Sequence, residues 1–389
     1  MSSLSAGRPV QHAVRALRCL FFVAGALFAT WGVHVPSVKA HYGLSEQSLA
    51  LAMFAAGAGA IVALLFAGRV LARRAPRSVV PLTAIVSVAA VGALLAPARY
   101  SWLLALMLAY GMAAALLDVA INDEATALER HAGRPLMSGF HGMFSLGGLA
   151  GACAWGVLAP IGVSPAMHMV AASAALGVLA LVASAFMLRE RRNAAPAGAP
   201  LSIPRGPLLL LGILASLGFV GEGAMYDWSV LYLRQELGTT AGVASLGYAS
   251  FSGAMAAGRF GGDWARARVP PVTLLRASGA LGALGMLLAL SVPHPAGALA
   301  GFALAGLGFA NIVPVLFSVA GRFPGVPAAH GIAAVSSVGY FGLMAGPPLI
   351  GFIAQAHSLT AGLLVVVVFA AVVALFSGRA LGAHGRRTD

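Results

Sequence analysis

The stretch GFVGEGAMYDWS (218–229) sets Glu222 and Asp227 into an apolar run that begins at Pro207. A carboxyl group inside hydrocarbon is costly, so each such residue is a functional candidate by default. It can carry a proton or hydrogen-bond a polar solute. Gly221 and Gly223 leave both sides of Glu222 open to a helix, a water or a ligand. Tyr226 stands one turn further on the same face. Asp227, five residues on, lies about 140° round the helix from Glu222. It sits beside Trp228, whose indole suits an interfacial depth, and a cap or gate role is expected for it.

Other polar residues stand in apolar runs. Asp118 and Asn122 share a helix face one turn apart. His141 falls about as far after the turn near residue 130 as Asp118 falls before it. If the two helices pack as an antiparallel pair, a carboxylate and an imidazole meet, either exchanging protons or fixing the helices. Asn311 lies three residues before Pro314, where a broken helix frees carbonyls for a solute. Trp31, Tyr248 and Tyr340 are aromatic faces for packing or for stacking a ring. His34, just before Pro36, is expected at the surface. Asp123, Glu124, Glu129 and Arg130 are expected to form ion pairs with arginines of the loop near residue 73.

Several kinds of chemistry are excluded. Lys39, the only lysine, follows no glycine-rich loop, so the chain carries no P-loop; it also lacks HExxH and G-x-S-x-G. The 10 histidines include no pair at metal-ligand spacing, and Cys19 and Cys153 have no CxxC partner. No enzyme, cofactor or metal site is expected.

The elements that must position these residues follow from composition. The chain is 60% hydrophobic and 9% charged over 389 residues, far from a soluble domain. Its apolar residues come in blocks of about 20, the length of a membrane-crossing helix. Without water, backbone groups must pair within each segment, so helices are expected. Twelve spans are expected near 14–35, 47–70, 78–97, 101–122, 137–159, 165–188, 207–232, 242–263, 272–292, 296–320, 329–355 and 358–378. The fold class is thus all-α integral membrane, in two six-helix bundles. Residues 1–188 form the first half, 189–206 a linker rich in charge, Pro and Ala, and 207–389 the second half.

Alternate loops differ in charge. Of the 24 basic residues, all but Lys39, Arg99 and Arg234 fall on one side of that alternation. By the positive-inside rule both termini and the linker are cytoplasmic, in a bacterial-type inner membrane. The net charge of +13 sits in short arginine clusters between apolar blocks, which fits anionic lipid and not nucleic acid. No cleaved signal peptide is read at the N-terminus.

The halves share an internal repeat. AGRVLARR (67–74) matches AGRFGGDW (257–264), and LGGLAG (146–151) matches FGLMAG (341–346) at nearly the same offset. GRVLARRAPR and GRFGGDWAR resemble the two copies of the loop signature of the major facilitator superfamily. WGVHVPSVKAHYGLSE, DVAINDEATALER, GRPLMSGFHGMFSLGGLAG and EGAMYDWSVLYL resemble its branch of rhizopine-associated MosC-like proteins and fucose-permease relatives. The resemblance spans about residues 14–380. It implies cytoplasmic gate candidates at Gly68, Arg69 and Arg73 in the first copy, and Gly258, Arg259 and Asp263 in the second. The first copy departs from the pattern, with Ala72 where the family usually carries Asp.

The resemblance implies a secondary transporter working by alternating access around a central polar cavity. A small solute such as a sugar or polyol is the expected substrate and protons the expected coupling ion, with a monomer sufficient. Substrate or coupling candidates are Glu222, Asp118, Asn122, His141, Asn311, Tyr226, Asp227, Trp31 and Tyr340. An exporter of lipophilic compounds and a non-transporting membrane sensor are the alternatives.

Overall fold

A computed structural model describes residues 3–133, 136–188, 205–326 and 328–382. The linker assigned to 189–206 falls, apart from Arg205 and Gly206, outside the described residues, as do Arg134, Arg386 and Arg387. Among the described residues the structure is all helical, with fourteen segments. They fall into two compact units, one of Met1–Leu44 with Ala52–Gly198 and one of Ser45–Leu51 with Ala199–Asp389.

The first unit holds α1 (Ser3–Tyr42), α2 (Glu46–Arg73) from Ala52 on, α3 (Pro76–Gly92), α4 (Tyr100–Ala132), α5 (Met137–Leu158) and α6 (Pro165–Ser184). Proline opens α3 and α6, where its missing N–H is harmless. Ser164 caps α6 by accepting from Met167 N at 3.2 Å. α5 packs chiefly on α1 and hardly touches α4, while α6 packs on α1 and α3. The α1–α5 seam is possible because Gly147 has no side chain: a Cβ there would lie 2.0 Å from the Phe22 carbonyl oxygen. Small residues of this kind let helices associate where lipid removes the hydrophobic drive between them. Leu17, Phe21, Val80, Ile121, Leu128 and Phe140 form the apolar core at the arginine-rich end.

The second unit holds α7 (Pro207–Gln235), α8 (Ala241–Phe260), α9 (Gly262–Arg268), α10 (Pro271–Ser291), α11 (Pro295–Phe309), α12 (Ile312–Ala320), α13 (Ala328–Ala356) and α14 (Leu359–Gly382). α7 lies against α13, α14 and α8, and α11 against α8 and α10. Two stretches expected as single spans are divided. The span at 242–263 ends at Phe260 and resumes as the short α9. The span at 296–320 breaks between α11 and α12, at Ala310 and Asn311. The proline ring at Pro314 explains the second break, since it clashes with the carbonyl four residues earlier, that of Ala310.

Among the described residues nine helices are long and apolar enough to cross a membrane. α3, at 17 residues, is apolar but shorter, and α5 and α8 are diluted by Gly, Ala and Ser. Large apolar side chains stand outward, among them Val157 at 68% and Leu375 at 72% exposure. Such residues would be an aggregation liability in water and are the natural surface of a helix in lipid.

Candidate functional site

The site in the second unit centres on an ion pair. Glu222, near the middle of α7, accepts a hydrogen bond from Arg259 Nη2 at 2.7 Å, and each side chain is 13% exposed. Arg259 is the penultimate residue of α8 and belongs to the second copy of the repeated motif, so a residue expected at a cytoplasmic gate turns inward to the acid of α7. Glu222 is therefore not a lone carboxyl in hydrocarbon. Its charge is met by a cation, which is how buried charges are tolerated.

The α11–α12 joint is seated on glycines of α7 and α8, which bear this pair, and of α9. A Cβ at Gly221 would lie 2.3 Å from the Phe309 ring, at Gly258 2.5 Å from the Ala310 methyl, at Gly262 2.6 Å from Asn311 Oδ1 and at Gly218 2.9 Å from Ile312 Cγ2. All four are closer than real Cβ atoms approach, so the residues 309–312 each occupy space that only glycine leaves. Two of these glycines adjoin Glu222 and Arg259 in sequence. Asn311 is 8% exposed, and its Oδ1 has no hydrogen-bond partner among the described residues.

Aromatic rings surround the pair along α7. Tyr226 packs on Tyr248 at 5.0 Å and edge-on to Phe251 at 5.2 Å. Phe219, one turn before Glu222, stacks on Tyr340 of α13 at 5.6 Å and 15°. Asp227 and Trp228 are both buried, Trp228 completely, so protein packing and not an open surface surrounds them. The cause is that α7 is enclosed by three helices over its second half.

In the first unit Asp118 does not meet His141. Asn122 Nδ2 donates to Asp118 Oδ1 at 3.0 Å within α4, whereas His141 sits edge-on to Phe21 of α1 at 5.3 Å. The expected α4–α5 pairing fails because α1 is the helix that α5 packs against. Trp31 is buried in α1. Gly68 meets nothing within 4 Å, Arg69 lies over the Phe66 ring, and Arg73 is exposed at the end of α2. Asp263 pairs with Arg266 inside α9.

Two acids towards the end of α4 accept backbone hydrogen bonds. Glu129 Oε1 accepts from Leu136 N at 2.7 Å and Met137 N at 2.9 Å, capping α5. Glu124 Oε1 accepts from Leu188 N at 2.7 Å. The start of a helix leaves N–H groups such as those of Leu136 and Met137 in want of acceptors. His34 is a further correction. It is fully buried and bonded to His168, a residue that the sequence did not single out. The only hint was a ring nitrogen set among apolar neighbours at each place.

With fold and site described, comparison with known proteins defines the class. The model of the Major Facilitator Superfamily matches residues 17–329, and the chain belongs to that family of membrane transporters; it is not an enzyme. An uncharacterised MFS-type transporter of Yersinia pestis is 35% identical over 88% of this chain and 89% of its own length. The membrane protein MosC of Rhizobium meliloti is 34% identical over 94% of this chain and 89% of its own. Among solved structures, a nucleoside transporter NupG variant superimposes with TM-score 0.74 at 13% identity, covering 95% of this chain and 99% of that one. A D-xylose–proton symporter does so with TM-score 0.72 at 14% identity, over 94% and 97%. These likenesses show the major facilitator fold, a multi-pass membrane protein.

Proposed function

We propose that this transporter moves a small polar solute, of the sugar or polyol class, by alternating access coupled to protons. The observation that carries the reading is the Glu222–Arg259 pair, bounded along α7 by the stacked Phe219 and Tyr340 rings. A proton arriving at Glu222 removes the charge that holds Arg259, and the guanidinium, with five donors, is then available to solute hydroxyls. Departure of the proton restores the pair. The aromatic faces suit the apolar faces of a sugar ring. Asp118, Asn122, Asn311, Tyr226 and Asp227 are further candidates for solute contact, and Gly68, Arg73 and Asp263 for the gate.

The arginine-rich alternation of loops supports a bacterial-type inner membrane with both termini in the cytoplasm. It also supports a reading of residues 1–188 and 207–389 as two halves joined by a cytoplasmic linker, in a working monomer. The family has members that carry nucleosides and xylose, as the names of the superimposed structures state.

The test begins with a thermal-shift screen of the detergent-purified protein against sugars, polyols, amino acids and lipophilic cations. A ligand at a hundred times its Kd stabilises the folded state by about 2.7 kcal/mol. The solute found is then used in proteoliposomes, where Glu222→Gln is expected to abolish accumulation driven by a pH gradient while leaving counterflow exchange. Accumulation that survives in Glu222→Gln refutes the coupling role. A shift with lipophilic cations alone replaces the solute reading with that of an exporter.

A further inference from the structure

A second cluster of ionisable groups lies in the first unit, at the end opposite its arginine clusters. His34 Nε2 of α1 and His168 Nδ1 of α6 are 2.8 Å apart. Both rings are buried, His34 at 0% and His168 at 4% exposure. His34 Nδ1 faces Ser37 Oγ at 3.5 Å. Trp155 of α5 covers both rings, its centroid 4.3 Å from that of His34 and 5.1 Å from that of His168. Three helices thus converge on two imidazoles and one indole.

Two imidazole nitrogens this close share one proton, with one ring donating and the other accepting. Two arrangements satisfy the contact. In one, His168 Nδ1–H donates to His34 Nε2, His34 carries its other proton on Nδ1 towards Ser37, and His168 Nε2 is bare. In the other, His34 Nε2–H donates to His168 Nδ1, His168 is protonated on Nε2, and His34 Nδ1 is bare. A proton taken up at His168 Nε2 converts the first into the second when the shared proton crosses to His34 and the Nδ1 proton leaves towards Ser37. Two N–H bonds form, two break, and one proton enters for each that leaves. The intermediate is a cation shared by the two rings, and Trp155 is within the distance at which an indole face stabilises one.

The ionisable groups on the packed helices at this end are Lys39, His41 and Tyr42 on α1, Cys153 on α5, and Tyr100 and Tyr110 on α4, whose N-cap is Arg99. α3 brings none and α6 none besides His168. No carboxylate is among them, so the indole is the aromatic substitute for a counter-ion. A buried polar contact made only for packing needs no group that can give a proton at one edge and take one at the other. Histidine is the side chain that does so.

We propose that His34 and His168, under Trp155, form a proton-binding and proton-passing site of the first unit, in addition to Glu222 in the second. The proposal rests on the proton-coupled reading above for its role in transport, but the site is testable without transport. The test uses the purified full-length protein in detergent, with no solute present. Tryptophan emission is followed from about pH 8.5 to about pH 4.5, across the range in which imidazole titrates. The difference between wild type and Trp155→Phe isolates Trp155, and an imidazolium quenches indole more strongly than a neutral imidazole.

The expected result is a sigmoidal loss of the Trp155 signal on acidification that disappears in His34→Gln and in His168→Gln and persists in Glu222→Gln. A flat Trp155 signal in the wild type overturns the site, as does a titration that survives in both histidine variants. Size-exclusion profiles establish that each variant is folded; if one is not, the other decides. A titrating Trp155 in a protein whose transport no pH gradient drives leaves the site standing and refutes the coupling in the proposed function. Gradient-driven transport with a silent Trp155 refutes the site alone.

Discussion

Gly68 and Gly258 hold the same place in the two copies of the repeated motif, yet their surroundings predict opposite responses to one methyl group. A Cβ at Gly68 meets nothing within 4 Å, whereas at Gly258 it would stand 2.5 Å from the Ala310 methyl. Carbon atoms rest at about 3.5–4.0 Å, so Gly258→Ala requires α8 and the α11–α12 joint to part by about 1 Å. The joint cannot slide freely, because Phe309, Asn311 and Ile312 are seated on three other glycines. Overpacking of this kind costs about 1–3 kcal/mol, against which alanine returns up to about 1 kcal/mol of helix propensity. The net is about 0–3 kcal/mol, centred on destabilisation of about 1–2 kcal/mol. For a unit of this size that lowers Tm by roughly 2–4 °C per kcal/mol. Gly68→Ala gains the propensity with no clash and is expected to leave Tm unchanged or raise it. Since Arg259 follows Gly258, the same displacement lengthens its bond to Glu222, and Gly258→Ala is also expected to impair transport. Thermal unfolding of both variants in one detergent decides the matter. Equal Tm values for the two variants, or a Gly258→Ala protein as stable as wild type, would refute the seating of the joint.

The ion pair and the α5 cap give two more tests. Arg259→Ala leaves Glu222 enclosed without its cation and is expected to cost about 3–5 kcal/mol. Glu222→Gln with Arg259→Ala should cost less than the separate losses added together, by about 0.5–3 kcal/mol; strict additivity in denaturation midpoints would show that the two do not interact. Glu129→Ala strands two N–H groups at the start of α5 and is expected to lose about 1–3 kcal/mol, with Glu129→Gln, which keeps an acceptor oxygen, losing less. Equal Tm values for Glu129→Ala and wild type would count against the cap.

Much of the fold is legible in the sequence because bilayer physics leaves few choices. Apolar length, proline at helix starts and the alternation of arginine set the helices and their order. Side-chain pairing is less legible, and one calculation shows why. Counting residues from the turn between two helices gives their relative depth, but it yields a contact only if the two helices are neighbours. Applied to α7 and α8, it places Arg259 a few residues deeper than Glu222, a gap that an arginine side chain spans, and the two helices do pack together. Applied to α4 and α5, it places Asp118 level with His141, and the contact is missing because α5 lies on α1. His34 and His168 are separated by 134 residues, and no local pattern joins them. The burial of Asp227 and Trp228 was likewise not legible, because how many neighbours enclose α7 is a tertiary property.

The repeated motif shows how duplicated halves come to divide their chemistry. Each copy supplies an arginine after its repeated glycine, Arg69 in α2 and Arg259 in α8. α7 offers Glu222 to the second arginine, but α1, the corresponding first helix of the other unit, contains no acid at all. Arg69 accordingly stays outside over Phe66, and Gly68 beside it needs no cradle. What α1 carries in its polar stretch is His34, paired with His168. If both units exchange protons, the second does so through a carboxylate and a guanidinium, whose net charge changes with each proton. The first does so through two imidazoles, which pass a proton and return to neutrality. Proton uptake in the second unit is then tied to breaking the bond between α7 and α8, whereas in the first unit it leaves the α1–α6 bond intact. Conformational work is therefore expected to follow Glu222, and its loss should abolish uphill transport where loss of His168 slows it.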